Sequence, residues 1–153
     1  MSVQQRARLR HQSEISGLPL EGGTLQWLVD RELGAQHVMS YRLSLDPDSA
    51  LSHVHNGAEE VLYVLKGSGQ VRVEGVTHHV AAGQAVFIPE GAEHTYVNTG
   101  AESLTLVGAM APPIDLDEIH PAIPRLDLSG LTSASLSESG VAPRIMDERE
   151  VTP

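Results

Sequence analysis

The chain has 153 residues, no cysteine and a formal net charge of −10, from 20 acidic and 10 basic residues. That length suits one domain able to bury a core without staples, and the missing cysteines exclude disulfides, thiolate metal sites and cysteine nucleophiles. The negative charge repels phosphates and anionic lipid headgroups, so neither nucleic acid nor membrane is expected as a partner.

Residues 1–23 are polar and end in Glu21-Gly22-Gly23, a turn signal. Their first stretch, MSVQQRARLRHQSE, has arginines but no apolar h-region, and no apolar run in the chain is long enough to span a bilayer, so a cytoplasmic protein is expected. From 24 to 111 the chain reads as one barrel-sized series of short β-runs. TLQWLVD (24–30) and AQHVMSYRLSL (35–45) are split by Gly34, and Asp46-Pro47-Asp48 then marks a turn. EVLYVLK (60–66) stops at Gly67. GQVRVEG (69–75) alternates Val71 and Val73 with Gln70, Arg72 and Glu74, as a half-buried strand does. VTHHVAAG (76–83) follows Gly75, which predicts a hairpin, and AVFIP (85–89), HTYVN (94–98) and SLTLVGAMA (103–111) complete the series. Many short strands with Gly and Pro punctuation predict an all-β sandwich or barrel. Trp27, Tyr41, Tyr63, Phe87 and Tyr96 are the only aromatics, so aliphatic side chains must build most of the core.

Residues 112–153 differ, with six of the nine prolines, eight acidic residues and little periodicity. They are expected to form an acidic tail that wraps the barrel or a partner subunit. An alternative is a trace of repetition: Arg144, Glu148 and Pro153 keep the mutual spacings of Arg10, Glu14 and Pro19, as if a second barrel once followed.

The chemistry concentrates in two stretches. In His53-Val54-His55, strand geometry would put residues i and i+2 on one face, about 6–7 Å apart, where two imidazoles can converge on one ion. Glu60 has the wrong parity for the same uninterrupted strand, but Gly57 can reset the alternation. Glu60 then opens an apolar strand in which an uncompensated carboxylate would be costly. Glu59 competes as a ligand; alternation turns it outward if Glu60 turns inward. Downstream, Gly83, Pro89, Gly91, His94 and Asn98 make up G-x5-P-x-G-x2-H-x3-N. Pro89 and Gly91 predict a rigid turn that aims His94 inward, and Asn98 can hydrogen-bond backbone at the strand end.

The two stretches, H-x-H-x4-E-x6-G from His53 to Gly67 and the second motif from Gly83 to Asn98, resemble the motif pair of the cupin superfamily, in its small single-domain, conserved-barrel form. The leading glycine of the first motif is replaced by Pro47, which can serve the same turn. The resemblance spans about residues 35–111. It implies a jelly-roll barrel of six to eight strands with extended N- and C-terminal segments, and a homodimer. It also implies one divalent transition metal held by His53, His55, Glu60 and His94.

Nitrogen and oxygen donors without thiolate suit Mn, Fe, Co, Ni, Cu or Zn. An octahedral ion would keep two positions open for a bidentate substrate, dioxygen or an acidified water. Tyr96, two residues beyond His94, should share its face and is the catalytic candidate, its hydroxyl donating to a substrate oxygen; a core tyrosine is the alternative. Leu62 and Val64 share the parity of Glu60 and should line an apolar wall. His37, Met39 and Tyr41 share one face of their strand, with core packing expected of the last two. His78 and His79 are read as surface or structural. Three functions follow for a small-molecule substrate. A metal-dependent dioxygenase-type oxidoreductase acting on an oxygen-rich organic molecule ranks first. A non-redox decarboxylase, isomerase or polyketide cyclase ranks second, and a non-catalytic binding module third. A DNA-binding regulator is disfavoured, because a helix-turn-helix has no room.

Overall fold

The computed structural model describes residues 6–54 and 56–114, with the side chain of His53 outside that description. The segment 112–153 and its repeat-like spacings therefore lie almost wholly outside the described residues. The described chain forms ten strands: β1 (Leu18–Leu20), β2 (Gly23–Val29), β3 (Met39–Leu45), β4 (Ala50–His53), β5 (Glu59–Lys66), β6 (Ser68–Val73), β7 (Val76–Ala81), β8 (Ala85–Ile88), β9 (His94–Val97) and β10 (Leu104–Ala111). They build a six-stranded sheet in the order β1-β2-β3-β10-β5-β8 and a four-stranded sheet in the order β4-β9-β6-β7. Every pairing between them is antiparallel. From β3 onward the chain passes repeatedly from one sheet to the other, the jelly-roll way of limiting open edges.

The alternation read in the sequence decides which face is buried. Met39, Tyr41, Leu43 and Leu45 of β3 turn inward, as do Glu60, Leu62 and Val64 of β5. Leu43, Leu62, Val64, Leu104 and Leu106 have no exposed surface, and each such side chain contributes about 1.5–3 kcal/mol by leaving water. The hairpin between β6 and β7 turns on Glu74 and Gly75, both at positive φ (48° and 79°), the two-residue geometry that matches strand twist.

The strands depart from the sequence reading in three places. Leu18–Leu20, within the polar N-terminal stretch, pairs with β2 across the Glu21-Gly22 turn. Ala50–His53 is a separate strand, pairing with β9. The strand of Met39 begins later than 35, so His37 lies in an exposed bend and shares no face with Tyr41. Together β1 and β4 raise the count above the eight strands expected. Asn98 fixes the joint between sheets. Its side-chain amide donates to the carbonyls of Leu45 (2.9 Å) and Glu102 (2.8 Å), and its oxygen accepts from Gly100 N (2.9 Å). Among the described residues, no helix is long and apolar enough to cross a membrane.

Candidate metal centre

The starts of β5 and β9 bring two of the four expected ligands together. Gly57 takes a left-handed φ of 87°, resetting the chain so that Glu59 is exposed and Glu60 is buried, at 1% exposure. On the other sheet, Ala92 N donates to Pro89 O (3.2 Å) and Gly91 has a φ of 75°, the tight turn that delivers His94 inward, also at 1% exposure. His94 Nε2 lies 3.2 Å from Glu60 Oε2. The other ring nitrogen, Nδ1, is 2.8 Å from the carbonyl of Ala92. A carbonyl only accepts, so Nδ1 carries a proton, and Nε2 is the ring nitrogen turned toward the carboxylate, with a lone pair to offer a cation once it is unprotonated.

Two phenols complete the cluster. Tyr96 is wholly buried, with its ring centroid 5.4 Å from that of His94, and its hydroxyl donates to Glu60 Oε1 (2.9 Å). The Tyr41 hydroxyl also donates to Glu60 Oε1, and lies 3.3 Å from the Tyr96 hydroxyl. Burial, reinforced by the nearby Glu60 carboxylate, holds both phenols well above the ordinary tyrosine pKa. Both are therefore neutral donors across the physiological range. One oxygen of Glu60 faces phenols and the other faces an imidazole.

This arrangement fits a divalent metal. Ligand distances near 2.1 Å put neighbouring donors of an octahedron about 3 Å apart, close to the observed Nε2–Oε2 separation. A ring nitrogen turned toward a carboxylate oxygen inside an apolar barrel calls for a cation or a shared proton between them. His53 closes β4 in register with His94, which places its backbone beside the pair; its side chain, and all of His55, lie outside the described residues. Among the described residues, no set of three or more His, Asp or Glu side chains converges.

Leu62 and Val64 are fully buried on the Glu60 face, as expected. His78 and His79 are both exposed on β7. Tyr41, expected only to pack, is instead a partner of the site. Gly108, which no motif reading singled out, makes room for it: a Cβ there would overlap the Tyr41 ring and lie 2.5 Å from its hydroxyl oxygen. The signal was present in the sequence, as a glycine in the interior of the apolar run SLTLVGAMA.

A double-sheet barrel with a buried imidazole–carboxylate pair at the start of two strands defines a small jelly-roll barrel protein. The comparisons with known proteins agree: residues 41–110 match the cupin domain family, so this stretch of the chain is a cupin domain. The tetracenomycin polyketide synthase protein TcmJ of Streptomyces glaucescens is 26% identical over 123 residues, covering 80% of this chain and 76% of TcmJ. Two other curated relatives are spanned over only about half of their length (51% and 54%). Among solved structures, a predicted oxalate decarboxylase from Thermotoga maritima is 25% identical, with a TM-score of 0.60 over 69% of this chain and 100% of that one. The polyketide cyclase RemF of Streptomyces resistomycificus is 20% identical, with a TM-score of 0.59 over 85% of this chain and 97% of its own, a likeness of fold.

Proposed function

We propose that this protein is a metal-dependent cupin enzyme that promotes ring closure of a polycarbonyl, polyketide-like substrate. The reading rests on one observation, the Glu60–His94 pair flanked by two neutral phenols inside an apolar barrel. It draws support from the similarity to TcmJ over most of both chains, and RemF, a cyclase by name, shares the fold. The sequence by itself ranks oxygenation first; these relatives shift the weight to the non-redox chemistry ranked second.

His53, His55, Glu60 and His94 would hold the metal, which when bound supplies Lewis acidity toward a substrate carbonyl. The protein's own groups do the rest. The Ala92 carbonyl fixes the His94 tautomer and ring direction. Tyr96 has one proton, directed at Glu60 in the absence of substrate. Turning it toward a substrate oxygen leaves Tyr41 as the standing donor to Glu60, so the carboxylate keeps a partner throughout. Leu62 and Val64 exclude water from the reacting chain, which strengthens each of these hydrogen bonds.

The test is to supply a poly-β-ketone chain, made in place by a minimal polyketide synthase, to protein loaded in turn with Zn, Ni, Mn and Fe. Formation of a cyclised, water-eliminated product without oxygen uptake is the expected result. Oxygen consumption in step with product would return the assignment to a dioxygenase. No product with any metal would remove the enzymatic reading of this substrate class.

A further inference from the structure

Tyr41 and Gly108 both lie outside the two sequence motifs, which run from Pro47 to Gly67 and from Gly83 to Asn98. The fold joins them. Tyr41 of β3, Gly108 of β10 and Leu62 of β5 stand in one row across the large sheet, and the next row on the same face of these last two strands pairs Met110 with Glu60. Adjacent strands are about 4.8 Å apart, so a β3 residue must reach across about 10 Å to touch a β5 side chain. A tyrosine can do this only by lying flat over the intervening strand. Any side chain on that strand would block it, and a Cβ at Gly108 would meet the Tyr41 ring well inside contact distance. On the β2 side, the Trp27 ring meets Tyr41 edge-on, with centroids 6.0 Å apart and planes at 76°. The tyrosine ring is thus confined, and its hydroxyl arrives at Glu60 Oε1.

We infer that Tyr41, laid in the notch left by Gly108, is a positioning residue that fixes the Glu60 carboxylate, keeping Oε1 with the phenols and presenting Oε2 as a single donor beside His94. The inference rests on the metal reading above and deepens it. A core tyrosine needs only any acceptor for its hydroxyl; this one takes the carboxylate that faces the imidazole. A carboxylate freed from that tie could rotate, offer both oxygens or turn away, and the donor set would lose its geometry.

The experiment uses Co(II) alone as the probe, titrated against a competing chelator, with the visible ligand-field bands as a second readout. A third readout is the side-chain carboxyl resonance of Glu60 in metal-free protein labelled with carbon-13 glutamate. Tyr41→Phe is expected to weaken Co(II) binding by about 10- to 100-fold, alter the bands and move the Glu60 resonance. Gly108→Ala leaves the hydroxyl chemistry intact but displaces the ring, and should reproduce all three changes. Leu43→Ala, on the same strand and in the same core, should lower stability while leaving Co(II) affinity as it was. Tyr41→Phe with wild-type affinity and an unmoved Glu60 resonance overturns the inference, whether or not Gly108→Ala folds. If the wild-type chain binds no Co(II), the metal reading fails by itself, and the Glu60 resonance of Tyr41→Phe still decides whether the tie exists: a shift upholds it and no shift refutes it.

Discussion

Gly108→Ala is ordinarily a gentle substitution. At a strand position that accepts a side chain, it should stabilise by about 0.4–1 kcal/mol by restricting the unfolded chain. Here the sign reverses. The new Cβ would sit 2.5 Å from the Tyr41 hydroxyl oxygen and closer still to two ring carbons, where real Cβ atoms essentially never come within 3.0 Å. The neighbour that must yield is a ring held by Trp27 on its other side, not the end of a flexible chain. Overpacking of this kind costs about 1–3 kcal/mol. Displacing the ring also strips a buried carboxylate of a hydrogen bond, a further loss of about 1.5–3 kcal/mol. The sum, about 2.5–6 kcal/mol, should lower Tm by about 5–25 °C in a chain of this size. Thermal unfolding followed by circular dichroism measures it. Tyr41→Leu in the same chain removes the obstructed ring, so the double variant should lose much less than the two single losses added together. A Gly108→Ala protein as stable as wild type, or an additive pair, would refute the claim that Tyr41 occupies the space over Gly108.

His94→Ala should abolish most metal uptake while preserving the β-rich circular dichroism spectrum; unchanged metal content by elemental analysis would remove His94 from the donor set. Asn98→Ala breaks two side-chain donations, one buried and one part-buried, and one acceptance, and should cost about 2–4 kcal/mol in urea unfolding with metal stoichiometry unchanged. The raised pKa values of Tyr41 and Tyr96 fix a pH dependence of known sign: the folded state holds these protons more tightly than the unfolded state. Their contribution is therefore complete below the unfolded tyrosine pKa of about 10 and is lost as pH climbs above it. Alkaline unfolding should accordingly be less steep in Tyr96→Phe than in wild type, and an equal slope would contradict the burial of that phenol. The outer face of β5 and β8 exposes Val61, Tyr63, Leu65 and Phe87, with Glu59 and Lys66 at opposite ends of β5. A two-fold axis through this patch would pair each Glu59 with the other copy's Lys66. If two copies pair through this face, Tyr63→Lys should shift the population toward monomer in sedimentation velocity, whereas an unchanged distribution would exclude this face.

The sequence by itself determined the β architecture, the inward parity of Leu62 and Val64, the turn at Pro89–Gly91 and the burial of Glu60 and His94. Each follows from a local rule, either alternation along one strand or a residue type that a turn requires. Leu18–Leu20 and Ala50–His53 escaped that reading because three- and four-residue strands are too short to show a period and exist through their partners. The tertiary structure alone decided that Tyr41 serves the site and does not merely fill the core. That role depends on a row of three strands, a missing side chain at Gly108 and a carboxylate on the far strand, residues that no spacing within one segment connects. Periodicity says which side of a strand is buried. What a buried side chain then touches is settled by register between strands, and register is set by the whole sheet.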